Sequence, residues 1–162
     1  MDTVSKDKVK RLLRFLPMVA VMVMIFVFSA MPGKESGATS GFLLTIIVKT
    51  AEWVSRSSVS PDTAEMLHMI IRKAAHFTEF AMLGITTVIA FWKPSISKIK
   101  NALIPFAVSV LYAASDEFHQ LFVPGRAGMI RDVCIDSLGT LTGIVIILLC
   151  LPRDGGKSCN TI

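Results

Sequence analysis

Histidine and carboxylate side chains recur one helical turn apart at three places in this chain of 162 residues. The pairs are His76 and Glu79, Asp116 and His119, and Asp132 and Asp136. Residues three or four apart share one face of a helix. Histidine exchanges a proton near neutral pH, so beside carboxylates it can act as a general acid, a general base or a nucleophile. We interpret these residues as candidate catalytic residues.

Other polar side chains in the same segments are suited to holding an anionic substrate. Arginine and lysine bind phosphate and carboxylate oxygens through charge-assisted hydrogen bonds. The candidate substrate-binding residues are Arg72, Lys73, Glu117, Gln120, Arg126 and Arg131.

The same residue types allow two other uses. A metal such as Zn, Mn or Fe could be held by one histidine and one carboxylate from each of two helices, namely His76, Glu79, Asp116 and His119. Alternatively, the charged pairs could simply hold neighbouring helices in register. Residue types alone do not decide between these uses, so the sequence leaves metal content and cofactors open.

The segments that carry these residues are long and apolar. Hydrophobic residues make up 52% of the chain, the mean hydropathy is +0.62, and about 20 apolar residues suffice to cross a bilayer. The apolar segments cover residues 15–31, 74–92, 102–123 and 133–151. We therefore predict an all-α, polytopic membrane domain over residues 15–151, a bundle of four transmembrane helices.

Positive charge indicates the orientation of this bundle. Of the basic residues near the span ends, ten lie in the N-terminal residues 1–14, in 93–100 and in the tail 152–162, and seven lie on the opposite side. The positive-inside rule then places both termini in the cytoplasm. With basic residues confined to short segments between apolar blocks, the net charge of +5 favours a lipid bilayer over nucleic acid as partner.

The first apolar segment has a second interpretation, because a basic flank followed by an apolar core is also typical of a cleaved signal peptide. No clear small-x-small cleavage site follows this segment, so we favour an uncleaved helix.

Two further features concern helix boundaries and packing. Residues 42–56 alternate polar and apolar positions at helical spacing, which predicts an amphipathic helix at the extracytoplasmic interface. Ser60 suits an N-cap and Pro61 a first helical position, so a helix is predicted to begin there and continue into the second span. Gly139 and Gly143 form a small-xxx-small step that indicates close helix packing.

Chain direction brings the polar residues to one leaflet. The second span begins, the third ends and the fourth begins on the same side, with the carboxylates about 5 to 10 Å inside their spans. A charge inside a bilayer costs about 2.5–3.5 kcal/mol on insertion scales. We therefore predict that these groups face one another in a polar, water-filled pocket.

Two segments resemble the VanZ-like family of membrane proteins. They are IRKAAHFTEFAMLG (71–84) and SDEFHQLFVPGRAGMIRDVCIDSLGTLTG (115–143), and FVFSAMPGKESGATS (26–40) looks like that family's first motif. The family's signature positions fall on Arg72, Lys73, His76, Glu79, Asp116, Glu117, His119, Gln120, Pro124, Gly125, Arg126, Asp132 and Asp136. The resemblance implies a bacterial plasma-membrane protein of the cell envelope, associated with glycopeptide antibiotics such as teicoplanin. It does not supply a reaction.

Three functional classes follow from these residues. The first is an enzyme acting on an anionic, lipid-linked envelope substrate at the outer leaflet. The second is a binding or accessory protein for a lipid headgroup or a glycopeptide. Ion or proton transport is less favoured, because spans two to four carry no ionisable relay in their inner halves. The sequence does not determine the oligomeric state.

Overall fold

The computed structural model describes residues 12–31 and 60–151, together with the isolated positions 9, 45, 46, 49, 50, 53, 56 and 58. Its helices are α1 (Leu16–Ala30), α2 (Pro61–Phe91), α3 (Lys98–Gln120) and α4 (Ile130–Cys150). Within this described part the regular secondary structure is entirely helical, which confirms the all-α prediction. Most of the predicted interfacial helix 42–56, and the tail 152–162, lie outside the described residues.

Helix α2 begins where the local sequence predicts. The hydroxyl of Ser60 accepts a hydrogen bond from the backbone N–H of Thr63 at 3.3 Å, and Pro61 occupies the first turn. Asp62 adds a negative charge at the positive end of the helix dipole. The helix then continues without a break to Phe91, so the predicted continuity into the second apolar segment is confirmed.

Helices α2 and α4 approach each other most closely at glycines. A Cβ atom added at any of three glycines would collide with a backbone carbonyl of the facing helix. The pairs are Gly84 with Thr140, Gly139 with Phe77, and Gly143 with Ala81. The predicted packing role of Gly139 and Gly143 is therefore confirmed.

Large apolar side chains join the other helices to this pair. The buried cluster consists of Val21 and Ile25 of α1, Phe80 and Leu83 of α2, and Ala113 of α3. Phe80 directly follows Glu79, so the apolar core begins where the ionisable residues of α2 end.

Cations from other segments bind the C-terminal carbonyl groups of three helices. The last carbonyls of a helix have no partner within it and carry partial negative charge. Arg14 donates to Ile89 and Trp92 at the end of α2, Lys98 to Leu148 and Leu151 at the end of α4, and Arg126 to Phe28 and Met31 at the end of α1. These contacts tie each helix end to a distant part of the chain.

Helices α2 and α4 are long and apolar enough to cross a membrane. Helix α1 is apolar but has only 15 residues, fewer than the usual crossing length. Helix α3 has 23 residues and buries polar groups, among them Asn101, Ser109 and Asp116. By length and composition, the described helices thus include two clear spans, so the prediction of four is not confirmed.

We expect Gly143→Val to force α2 and α4 apart, because its side chain would meet the Ala81 carbonyl. Overpacking of this kind costs about 1–3 kcal/mol. Thermal unfolding of the purified protein in detergent would measure the loss. Leu141→Val, at an exposed position of the same helix, is the control, and equal melting temperatures for the two variants would contradict the packing assignment.

Candidate functional site

The first half of α2, the end of α3 and the start of α4 meet at one end of the bundle. Lys73 of α2 forms a hydrogen-bonded ion pair with Asp132 of α4. Gln120 of α3 lines the same small cavity as both. Chain direction had predicted that these three helix ends share a side.

His76 faces Asp136 one turn further along both helices. The distance from Nδ1 of His76 to Oδ1 of Asp136 is 3.9 Å, which is too long for a direct hydrogen bond. Asp136 is completely buried, and within the described part of the chain neither of its carboxyl oxygens has a hydrogen-bond partner. The Nδ1 atom of His76 and the hydroxyl of Thr140 are likewise unpartnered there. Buried polar atoms of this kind usually bind a water molecule or a ligand.

A narrow cavity lies between these side chains. Its lining consists of Arg72, Lys73, His76, Gln120, Asp132, Ile135 and Asp136. Its volume is about 10 Å³, which is roughly what one water molecule requires. Six of the twelve site residues predicted from the sequence thus line this cavity.

Asp116 connects α1 to this end of the bundle. The hydroxyl of Ser29 donates to Oδ2 of Asp116 at 2.7 Å, and the amide of Gln120 donates to the same oxygen at 3.0 Å. Both Ser29 and Asp116 are almost completely buried. The buried carboxyl group of Asp116 is thereby stabilised by two donors, one of which belongs to α1.

Glu117 connects α3 to the start of α4. One carboxyl oxygen accepts the backbone N–H of Met129 at 2.8 Å, and the other accepts the Gln120 amide at 3.4 Å. Met129 is the N-cap residue of α4, where a negative charge is favourable. Glu117 therefore holds the α4 terminus in place.

Arg126 is turned toward α1 by the loop that follows α3. The N–H of Arg126 donates to the carbonyl of Val123 at 3.1 Å across Pro124 and Gly125. Gly125 has a φ of 76°, as the third position of a type II turn requires. The guanidinium donates to Phe28 at 2.8 Å and Met31 at 3.0 Å. Burial, followed by the charge of Arg72, lowers the pKa of Arg126 below its usual value.

Besides Asp116, Glu117 and Arg126, three more sequence-predicted residues lie outside the cavity lining: Glu79, His119 and Arg131. The Glu79 carboxyl group is within electrostatic range of Asp116 and Arg126. His119 lies against Phe26 of α1, with ring centroids 4.7 Å apart, and its buried Nε2 has no hydrogen-bond partner among the residues described. Arg131 is exposed and contacts the sulfur of Met129 at 3.6 Å.

The described residues contain no group of three or more His, Cys, Asp and Glu side chains placed to hold a metal ion. The four ligands considered from the sequence are divided here, because His76 lines the cavity and His119 packs on α1.

Ser29 and Thr140 were not among the site residues predicted from sequence. Ser29 did carry a signal, because it is the only polar residue between Phe15 and Met31, and an isolated hydroxyl in an apolar span often bonds to another helix. Thr140 gave none, since threonine is common in apolar helices.

We expect Ser29→Ala to weaken the attachment of α1, because Asp116 would lose its 2.7 Å donor while staying buried. Such a loss costs about 1–3 kcal/mol, measurable by thermal unfolding in detergent. Ser115→Ala is the matched control, since that hydroxyl is exposed and bonds only to the Tyr112 carbonyl of its own helix. Equal destabilisation by both would contradict a special role for Ser29.

We also expect Arg126→Lys to destabilise the protein even though it keeps the charge, because a single ammonium does not reproduce the fork that reaches Phe28 and Met31. The melting temperature should fall, whereas Arg131→Lys in the exposed control position should leave it unchanged. An unchanged melting temperature for Arg126→Lys would argue against the role in holding α1.

The family model described as VanZ/LLP1 matches residues 15–151, which include all four described helices and the whole cavity lining. No curated protein matches the chain, and no solved structure does.

Proposed function

Because the chain belongs to the VanZ/LLP1 family, we propose that it is a bacterial plasma-membrane protein of the cell envelope that affects susceptibility to glycopeptides such as teicoplanin. The family supports the association with glycopeptide resistance at a general level. The reaction and the substrate class proposed below are supported by the arrangement of the side chains.

In this proposal all four helices cross the bilayer, with both termini in the cytoplasm. Exposed apolar side chains on α1 and α3, the two helices that are not clear spans, support it, because exposing them to water would be costly. These residues include Val19, Val23 and Phe26 on α1, and Leu103 and Leu111 on α3. The polar residues around His76 then lie near the outer leaflet.

The buried pair His76 and Asp136 carries the functional proposal. A fully buried carboxyl group with no hydrogen-bond partner in the described part of the chain is costly. Oδ1 of Asp136 lies 3.9 Å from Nδ1 of His76. At this distance the two side chains can share a proton through one bridging water molecule, or directly if they move slightly closer together. That arrangement orients the imidazole and makes its Nε2 atom available for proton transfer.

The substrate in this proposal is the anionic headgroup of a lipid-linked envelope compound. Arg72 and Lys73 line the cavity and are only partly buried, so they can bind phosphate or carboxylate oxygens. Lys73 would exchange its contact with Asp132 for one with the substrate, and that exchange would widen a cavity that is otherwise large enough only for a water molecule. His76 then transfers a proton to or from the headgroup.

The other residues considered for the site have supporting positions in this proposal. Asp116, Glu117, Gln120 and Arg126 act as positioning residues, because their contacts hold α1 and the start of α4 against α3. Glu79 and His119 stay candidates for a second proton-transfer group, and Arg131 stays a candidate for contact with the substrate outside the cavity.

The test uses His76→Gln and Asp136→Asn in a bacterial strain that depends on this chain for its teicoplanin response. Loss of general acid–base catalysis lowers a rate about 100-fold or more, so both variants should behave like the deletion. The measurements are teicoplanin susceptibility and mass spectrometry of the anionic envelope lipids. Membrane levels of each variant are measured in parallel.

His68→Gln is the matched control, because His68 lies on α2 two turns before His76 and outside the cavity lining. It should retain the wild-type response. An unchanged lipid profile and susceptibility in His76→Gln would refute the enzymatic proposal. If purified His76→Gln still binds teicoplanin or the headgroup as tightly as wild type, and the response is kept, the protein is a binding or accessory protein instead.

A further inference from the structure

A second cavity lies at the opposite end of the bundle, about 22 Å along α2 from His76 by helical rise. It has a volume of about 390 Å³ and lies beside the end of α2 and the residues that precede α1. Two cations, Arg14 and Lys93, and the aromatic residues Phe15, Phe91 and Trp92 contribute to its lining. Its volume falls within the range typical of ligand-binding pockets.

Both basic residues of this cavity form hydrogen bonds that involve the backbone at this end of the bundle. Arg14 donates through Nη2 to the carbonyls of Ile89 at 3.0 Å and Trp92 at 3.2 Å. The backbone N–H and carbonyl of Lys93 are each bonded to the amide of Asn101, at 2.9 Å. The guanidinium of Arg14 and the backbone of Lys93 are therefore fixed beside the same cavity.

No Asp or Glu among the described residues lies near Arg14 or Lys93, either in sequence or at the same end of a helix. Asp and Glu are absent from residues 8–34, 80–115 and 137–153. The carboxylates of α2, α3 and α4 all lie toward the other end of their helices. Among the described residues, therefore, Arg14 and Lys93 have no carboxylate partner, and an external anion can bind them.

The aromatic residues indicate where this anion comes from. Phe15 and Phe91 pack edge to face with ring centroids 5.3 Å apart, and Trp92 follows at the point where the apolar helix ends. Tryptophan at such a position is typical of the headgroup level of a bilayer. A soluble phosphate ion would contact the two cations but not the aromatic side chains. A phospholipid would contact the cations through its phosphate and the aromatic side chains through its apolar part.

We propose that the cavity formed by Arg14, Phe15, Phe91, Trp92 and Lys93 is a binding site for the phosphate headgroup of an anionic phospholipid. The cations bind the phosphate oxygens, and the aromatic side chains contact the glycerol and the upper acyl chains. The site is separate from the cavity around His76, so it does not depend on the reaction proposed there.

Tryptophan quenching in reconstituted bilayers tests this site. In a Trp53→Phe background, Trp92 is the only tryptophan left of two. The protein is placed in phosphatidylcholine bilayers that contain an equal fraction of either brominated phosphatidylglycerol or brominated phosphatidylcholine. A single lysine or arginine near the bilayer surface enriches an anionic lipid beside it about fivefold over a neutral lipid. We expect the phosphatidylglycerol probe to quench Trp92 more strongly, and Lys93→Gln to lower this preference about fivefold.

Lys93→Gln should fold normally, because the contacts of its backbone with Asn101 do not involve the side chain that changes. Arg14→Gln is the second variant and should also lose the preference, although it removes a contact at the end of α2. Lys100→Gln is the control, since Lys100 is exposed at the same end of the bundle but does not line the cavity. It should keep the wild-type preference.

Three outcomes would overturn the proposal. One is equal quenching of the wild type by both brominated lipids. Another is an equal loss of preference in Lys100→Gln and Lys93→Gln, which would indicate general surface attraction. The third is loss of the preference when inorganic phosphate replaces chloride at constant ionic strength, which would indicate a site for soluble phosphate.

Discussion

The close contact between α2 and α4 is the constraint on which the rest of the structure depends. Three glycines allow the two backbones to touch, and the contact between Gly139 and the Phe77 carbonyl lies one residue from His76. Asp136 precedes Gly139 by one turn on the facing helix. A larger residue at that glycine would therefore move His76 and Asp136 apart, and the buried carboxyl group would lose the only histidine that faces it.

Helix α1 is held to the other helices by different interactions. Its buried apolar residues Val21 and Ile25 reach the core, but its end is held by polar groups, because Ser29 bonds to Asp116 and Arg126 binds the final carbonyls. Ser29 and Asp116 are almost completely buried, so water does not reach them as an alternative partner if their contact is lost. Asp116, a candidate catalytic residue, and Arg126, a candidate substrate-binding residue, thus take part in holding the bundle together.

Much of the fold follows from local patterns in the sequence. The apolar segments predicted the helices, and Ser60 with Pro61 predicted the start of α2. The step from Gly139 to Gly143 predicted a packing face. Each of these features depends only on residues that are neighbours in sequence. The convergence of polar residues followed from chain direction. The width of the cavity could not be predicted, since it depends on side-chain rotamers that set Lys73 against Asp132.

The contact partners of individual side chains could not be predicted from the sequence either. The position of His119 one turn after Asp116 suggested a common function, but its ring packs on Phe26 of α1. A helix face spans several neighbours, and only the placement of α1 decides which of them a given residue meets. For the same reason, basic residues counted as topological signals, such as Arg14 and Lys98, proved to bind helix ends as well.

The cations at the helix ends have a consequence for the order of events during synthesis. Arg14 precedes its carbonyl partners by 75 and 78 residues, and Lys98 precedes the Leu151 carbonyl by 53. Both have already left the ribosome when the helices they bind are completed. Arg126 instead follows Met31 and Phe28 by 95 and 98 residues. Helix α1 must therefore wait for nearly a hundred further residues before its own end is closed, whereas the ends of α2 and α4 can be closed as soon as they are translated.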